Sequence, residues 1–359
     1  MKGLILAGGL GTRLRPLSHT GAKQLVPIAN KPVLHYVIED LKNAGITDIG
    51  IIVGYTEERI NSIKDSLGDG LKWGVRIIYI EQDAPRGLAH AVAISEGFMA
   101  GDDFVVYLGD NILNKGITQF VNDFKKSNYD ASLLLTPVDN PQIYGTAVVD
   151  ANGNVAYVEE KSERPRSNLA IVGVYLFRNA AFNEIKSVQP GKNGELQLTD
   201  AIKMLVNDKN KIVNAHIVEG WWDDTGTAEA VLRANYLMLM DLKHGIDGNV
   251  HSKAKMMGNV SVGKGTVIDE GCVIKGPVII GKNTTIEKNT YIGPYTSIGD
   301  NVVISGCEIE SSIVMDYTKI KFKGKIVDSI IGKDCQIQDM NEPPKGYRFI
   351  LGEHSEVKV

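Results

Sequence analysis

Residues 6 to 16 read Leu-Ala-Gly-Gly-Leu-Gly-Thr-Arg-Leu-Arg-Pro, and their glycines follow directly on an apolar run at residues 2–7. Glycines let backbone N–H groups approach an anion closely, with no Cβ in the way. Gly8, Gly9 and Gly11 are followed by Thr12 and Arg13, and Lys23 comes ten residues later. Two cations beside a nest of amides suit a polyphosphate. A tight strand-to-loop turn would use the same glycines, and the glycines alone do not separate the two. The stretch is not a Walker loop, because Gly-x4-Gly-Lys-Ser/Thr is absent. Nor is it the dinucleotide fingerprint, which needs glycine where Leu14 stands.

Elements able to hold such a loop surround it. Residues 2–7 suit a buried strand. Residues 32–44 have a helical apolar spacing at Val33, Val37, Ile38 and Leu41, with Pro32 at the start and Gly45 past the end. Strands are expected at 49–53, 75–81 and 104–108, and helices at 57–67 and 87–99. This β-α-β-α order implies a mostly parallel sheet flanked by helices, Rossmann-like in class. Ligands bind beyond the carboxyl ends of such strands. Residues 8–13, 82–87 and 109–111 fall there. A helix is expected over 228–242.

The pattern changes after about residue 245. Aliphatic residues recur every six positions at Val250, Met256, Val262, Ile268, Ile274, Ile280, Ile286, Ile292, Ile298 and Ile304. Four positions after each except Ile304 stands a small or β-branched residue. A period of six fits neither an α-helix nor a hairpin. It fits a parallel β-helix, left-handed in this reading, with the aliphatic residues filling the interior. The register skips after Ile304, which implies a loop or coil distortion. The expected domains are 1–243, 244–340 and a tail at 341–359, with a polar linker over 241–249.

Composition excludes other classes. The 359 residues are 43 % hydrophobic and 23 % charged, with a net charge of −4. Such a surface is not built to neutralise a nucleic-acid backbone or an anionic membrane. Three scattered cysteines make neither a disulfide framework nor a zinc site. No segment reads as a signal or a membrane span, so the expectation is a cytoplasmic protein.

Several motifs together carry a resemblance. The stretch at 6–16, then Lys23-Gln-Leu-Val-Pro and Asn30-Lys-Pro, resembles the signature of sugar-1-phosphate nucleotidylyltransferases. The spelling Lys-Gln-Leu is most similar to the glucose-1-phosphate thymidylyltransferases. The resemblance continues through Gln82-Asp-Ala-Pro-Arg-Gly-Leu-Ala-His, Leu108-Gly-Asp-Asn, Val158-Glu-Glu-Lys, Gly194-Glu-Leu-Gln-Leu-Thr-Asp and Trp222-Asp-Asp-Thr-Gly-Thr, covering residues 1 to about 240. The hexapeptide domain resembles that of the long form, found with antibiotic-sugar and archaeal pathways.

What the resemblance implies is Mg²⁺-dependent nucleotidyl transfer from dTTP to glucose-1-phosphate, giving dTDP-glucose and pyrophosphate. It implies backbone contacts to the nucleotide from Gly8, Gly9, Gly11 and Thr12, with Arg13 and Lys23 as the catalytic cations. Gln82 and Gly87 would read the base. Asn111, Gly145, Glu160, Lys161 and Val172 would hold the sugar phosphate, and Asp110 and Asp224 the Mg²⁺. Asp224, not Asp223, matches the metal aspartate, because the following Thr-Gly-Thr fixes the register. The sequence departs from the family pattern at Asn193, where an arginine usually stands; a neutral amide cannot make a bidentate charged contact. Alternatives are uridylyl or other transfer to another sugar-1-phosphate such as N-acetylglucosamine-1-phosphate, an added acyl transfer, or a catalytically dead regulatory subunit. The repeat contains only His251 as a possible acyl-transfer base, which favours a role in oligomerisation or regulation and a homo-oligomer.

Overall fold

The apolar run at the N-terminus forms β1 (Lys2–Leu6), whose interior residues Leu4 and Ile5 are fully buried. The computed structural model describes residues 1–19, 21–191 and 194–339. After β1 come the short strands β2 (Pro27–Ile28) and β3 (Lys31–Pro32), then α1 (Val33–Asn43), β4 (Asp48–Val53), α2 (Glu57–Leu67) and β5 (Arg76–Glu81). Next are α3 (Leu88–Ala93), α4 (Glu96–Met99), β6 (Phe104–Leu108), β7 (Asn111–Leu113) and α5 (Thr118–Lys126). The chain continues through β8 (Ala131–Pro137), β9 (Gly145–Val149), β10 (Val155–Glu160), β11 (Leu169–Phe177), α6 (Phe182–Ser187), α7 (Leu198–Asn207), β12 (Val213–Ile217), β13 (Trp222–Asp224) and α8 (Ala228–Met240).

The main sheet runs β10-β9-β11-β6-β1-β4-β5, with β8 and β12 continuing from β11. It is parallel across β6, β1, β4 and β5, and antiparallel where β11 meets β6, β8 and β9. Strand alternation sorts the core into two layers: Leu4, Phe104 and Val106 pack on one face, Ile5, Val105 and Tyr107 on the other. The order turns back at β1, since β4 lies on one side and β6 on the other. That switch point is where such sheets open a ligand crevice.

The helix expected over 87–99 is two helices. Ser95 is fully buried and its hydroxyl donates to the Val92 carbonyl at 2.7 Å, taking a carbonyl away from the helical ladder.

The packing divides the chain into two units. The described residues of Met1–Gly11, Thr20–Leu25 and Val33–Asp224 form the first; those of Thr12–His19, Val26–Pro32 and Thr225–Val359 form the second.

Within the second unit, strands of two or three residues stack in parallel into three walls of a left-handed β-helix. Ile268, Ile274, Ile286, Ile292, Ile298 and Ile304 fill its axis with no exposed surface. The small inward position is often threonine, and its hydroxyl is satisfied on the next coil: Thr266 donates to the Gly281 carbonyl at 2.6 Å and Thr284 to Gly299 at 2.9 Å. Asn283, Asn289 and Asn301 turn the corners in the left-handed region, where a short polar side chain is tolerated.

The skip after Ile304 is a shortened coil. Ile286 pairs with Ile304, but Ile292 pairs with Ile309 and Ile298 with Val314, so coils of eighteen residues become coils of seventeen and sixteen. Cys307 takes the small inward place in this stretch and is 2 % exposed. The linker expected over 241–249 is a correction: Gly245–Ile246 already pairs in parallel with Ser261 and Val262, so the first coil begins there. The expected tail at 341–359 lies outside the described residues. Among the described residues no helix is long and apolar enough to cross a membrane.

Candidate active site

Beyond the carboxyl end of β1 lies a cavity of about 230 Å³. Gly8, Gly9, Lys23, Gln82, Gly87 and Asp110 all line it. Residues from each of the three strand ends expected from sequence, Gly8 and Gly9, Gln82 and Gly87, and Asp110, therefore meet in one place with Lys23. Gly11 has φ +64°, and a Cβ there would lie 2.9 Å from the Lys23 Cβ. The glycine thus serves the turn and also leaves room for the lysine stem. Lys23 forms an ion pair with Asp110, and the two side chains are 14 % and 16 % exposed. Burial pushes the Asp110 carboxyl up, but the Lys23 charge and hydrogen bonds from Lys23 and Asn111 outweigh it. The carboxyl ends below its ordinary value and stays ionised.

Asp110 sits in the turn between β6 and β7. Its neighbour Asn111 opens β7 and pairs across the ladder with Asp224 of β13. Strand alternation then puts Asp224 and Trp222 on the face of Asn111, and Asp223, which is 3 % exposed, on the opposite face. Asn111 itself is 2 % exposed and acts as a junction. Its Oδ1 accepts from Trp222 Nε1 at 2.6 Å and from the Gly173 N–H at 3.2 Å, while its Nδ2 donates to Asp110 Oδ1 at 3.0 Å. The two acceptor contacts fix which way the amide points, and so aim its donor at Asp110. Trp222 packs edge-on against Tyr144 and also supplies this indole donor.

Gln82 follows β5 and is 8 % exposed. Its Nε2 lies 3.0 Å from His90 Nδ1 and 3.4 Å from the Gly87 carbonyl, which leaves Oε1 directed toward Gly8. Gly87 has φ +98°, and a Cβ there would sit 2.5 Å from the Leu196 carbonyl oxygen. Gly87→Ala is therefore expected to cost about 1–3 kcal/mol from backbone strain alone. The denaturation midpoint checks this; an unchanged midpoint means the 87 backbone shifts out of the left-handed region and the 196 backbone gives way. Gln24 is 1 % exposed, lines the cavity, and its Oε1 has no hydrogen-bond partner among the described residues. Sequence reading singled out neither Gln24 nor His90.

Other expected site residues are placed as follows. Glu160 ends β10 opposite Gly145, accepts from the Thr199 hydroxyl, and lies where a Gly145 Cβ would come within 2.9 Å of its Oε2. Lys161 has φ +43° and an exposed side chain whose Nζ is 3.9 Å from Glu160 Oε1. Val172 is fully buried in the core, so only its backbone could meet a ligand. Thr12 and Arg13 begin a short 3-10 turn in the second unit, with exposed side chains. Asn193 and Lys192 lie outside the described residues.

Residues 2–240 match the nucleotidyl transferase family, and residues 274–358 match the GMPPB C-terminal domain. Over 360 residues the chain is 45 % identical to the low-salt glycan biosynthesis nucleotidyltransferase Agl11 of Haloferax volcanii, covering 100 % of both. It is 43 % identical to a glucose-1-phosphate thymidylyltransferase of Streptomyces antibioticus, covering 100 % of this chain and 99 % of the relative. A Bacillus anthracis protein solved in complex with sucrose is 36 % identical with a TM-score of 0.63, covering 68 % of this chain and 98 % of that one. The family match takes in every strand that lines the cavity, and the relatives align end to end: the chain belongs to the nucleotidyl transferase family.

Proposed function

We propose that the protein transfers a thymidylyl group from dTTP to glucose-1-phosphate, releasing dTDP-glucose and pyrophosphate. The supporting observation is the meeting of Gly8, Gly9, Lys23, Gln82, Gly87 and Asp110 around one cavity, in a chain similar end to end to a thymidylyltransferase. A phosphate oxygen of the sugar-1-phosphate attacks the α-phosphorus, the bond to the β-phosphate oxygen breaks, and pyrophosphate leaves with the electron pair. The nucleophile is already an anion, so no strong general base is required. The barrier lies in bringing two anions together and in stabilising the leaving group.

In this reading the amides of Gly8, Gly9, Gly11 and Thr12 hold the phosphates. Lys23 neutralises the α-phosphate region, and Arg13 the departing pyrophosphate. Gln82 presents its amide to the thymine edge while Gly87 leaves space for the ring, and Gln24 Oε1, which has no partner among the described residues, offers an acceptor to a nucleotide donor. Asn111, Gly145, Glu160, Lys161 and the Val172 backbone take the sugar phosphate.

The donors present fit Mg²⁺. Among the described residues no group of three His, Cys, Asp or Glu side chains is placed to hold a metal alone. Mg²⁺ needs less: one or two hard carboxylates, with waters and substrate phosphates completing its shell. Asp110, ionised, and Asp224, across the ladder, are those carboxylates. Bound there, Mg²⁺ would supply charge neutralisation on the triphosphate. We divide the chain into a catalytic part at 1–243 and a non-catalytic coil at 244–340, acting in a cytoplasmic homo-oligomer. In the coil, His251 Nδ1 accepts from the Lys253 N–H at 3.2 Å, so that nitrogen is already engaged.

A panel of nucleoside triphosphates against sugar-1-phosphates, following pyrophosphate release with Mg²⁺, tests the reading. The expected best pair is dTTP with glucose-1-phosphate. A tenfold preference for UTP, or for N-acetylglucosamine-1-phosphate, replaces it with the corresponding transferase. No turnover of any pair ends the enzymatic reading, and transfer from acetyl-CoA to an aminosugar phosphate would make the coil catalytic.

A further inference from the structure

The outline of the Gln82 amide is nearly the same with its oxygen and nitrogen exchanged, so its neighbours decide which atom faces the cavity. The deciding neighbour is a carbonyl. Gly87 caps α3, and its oxygen accepts from the Ala91 N–H at 3.2 Å as the first bond of that helix. The backbone around it is held on both sides. The Leu196 N–H donates to the Arg86 carbonyl at 2.8 Å, and the Ala89 N–H to the Leu196 carbonyl at 2.9 Å. A carbonyl has no proton to give. The atom of Gln82 that lies 3.4 Å from the Gly87 oxygen is therefore the donor, Nε2.

His90 completes the arrangement. It is the third residue of α3, and its Nδ1 is 3.0 Å from the same Nε2. Facing an N–H, Nδ1 is the accepting nitrogen, and the proton of the neutral imidazole sits on its own Nε2. Both amide hydrogens of Gln82 are then committed, and what it turns toward Gly8 is Oε1, an acceptor. The bond to His90 is the shorter of the two, and a contact of 3.4 Å lies beyond the usual range. His90 is not among the described residues that line the cavity, so any effect on a ligand runs through Gln82.

We infer that His90 is a positioning residue that holds the Gln82 amide with its acceptor toward the cavity, and so selects a base with a donor at the facing ring position. Thymine has such a donor, the N3–H; cytosine carries a lone pair there. The effect on base choice rests on reading Gln82 as the contact to the thymine edge; the direction of the amide does not.

Kinetics and nitrogen NMR test the two parts. His90→Leu, which fills the space without an acceptor, should lower the ratio of kcat/KM for dTTP over dCTP at least tenfold, while KM for glucose-1-phosphate holds. His90→Phe carries the same expectation should His90→Leu fail to fold. His90→Asn, whose Oδ1 can stand in for Nδ1, should keep the ratio within threefold. In Gln82→Leu there is no amide to direct, so adding His90→Leu should move the ratio less than twofold. In the free wild type, labelled at the histidine nitrogens and held at a pH where imidazole is neutral, the signals that vanish in His90→Asn should show Nδ1 bare and Nε2 protonated. A proton on Nδ1 overturns the inference. So does an unchanged ratio in His90→Leu, or an equal fall in the Gln82→Leu background. A wild type that turns over no triphosphate removes the thymidylyltransferase reading, and the nitrogen signals then decide the direction of the amide by themselves.

Discussion

Asp224→Asn is expected to reduce turnover at least a hundredfold with the fold intact, whereas Asp223→Asn is expected to lower stability and leave most of the turnover. The two aspartates are adjacent in sequence and opposite in direction. Asp224 pairs with Asn111 and shares its face with Trp222, one residue from Asp110; Asp223 is 3 % exposed on the far face. An amide keeps the size of the carboxylate and removes its charge, so a loss in Asp224→Asn measures charge. A hundredfold is about 2.7 kcal/mol in the barrier. That is the size expected if, as proposed, Asp224 is one of two carboxylates facing a divalent cation on a polyphosphate. Steady-state rates across a Mg²⁺ titration, with melting curves for both variants, make the comparison. The Mg²⁺ concentration for half-maximal rate should rise for Asp224→Asn. Equal losses at 223, or none at 224, would mean the strand presents the other acid to the substrate.

What could be read from sequence was whatever repeats or lies close in the chain. The six-residue period announced the coil because each aliphatic residue answers a local demand for an inward side chain. The shortened coils after Ile304 broke the count but not the demand, which Cys307 and Ile309 meet at new spacings. The coil's start was hidden because Ile246 is 38 % exposed and joins no six-residue series. The helix break at Ser95 was hidden for a similar reason, since a buried serine bonding back to Val92 leaves no mark on apolar spacing. Around the cavity, motifs named several of the lining residues but not their supports. Asn111 meets Gly173 and Trp222 across 62 and 111 residues, and Asn235 meets Ala29 across 206. Contacts of that range follow from how the sheet and coil close, and no local pattern encodes them. The assignment of Thr12–His19 and Val26–Pro32 to the unit that holds the coil is the same kind of fact. A signature read as one loop is, in three dimensions, divided by what it packs against.

Lys23→Met should lower kcat/KM for the triphosphate at least about a hundredfold, and a partner substitution can show that the loss is electrostatic. Methionine matches the four-atom apolar stem of lysine without its terminal ammonium, so the stem can still pass Gly11, where a Cβ would come within 2.9 Å. What disappears is the ammonium beside Asp110. Two effects follow, and they have different cures. The first is structural: Asp110 becomes a largely buried carboxylate without its cation. Breaking a buried pair costs about 3–5 kcal/mol when one partner is removed. With side chains 14 % and 16 % exposed the cost here belongs at or below the lower end. The second, in the proposed reading, is catalytic: the attacking phosphate and the triphosphate would lose a fixed positive charge, which at a preorganised site is worth about a hundredfold or more. Adding Asp110→Asn to Lys23→Met removes the orphaned charge, so the melting temperature should recover. Activity should not recover, since the double variant lacks both the ammonium and a metal carboxylate. If Lys23→Met keeps its rate within threefold while its melting temperature falls, Lys23 serves the fold alone and the triphosphate is held by other cations. If neither quantity moves, the Lys23–Asp110 pair contributes to neither.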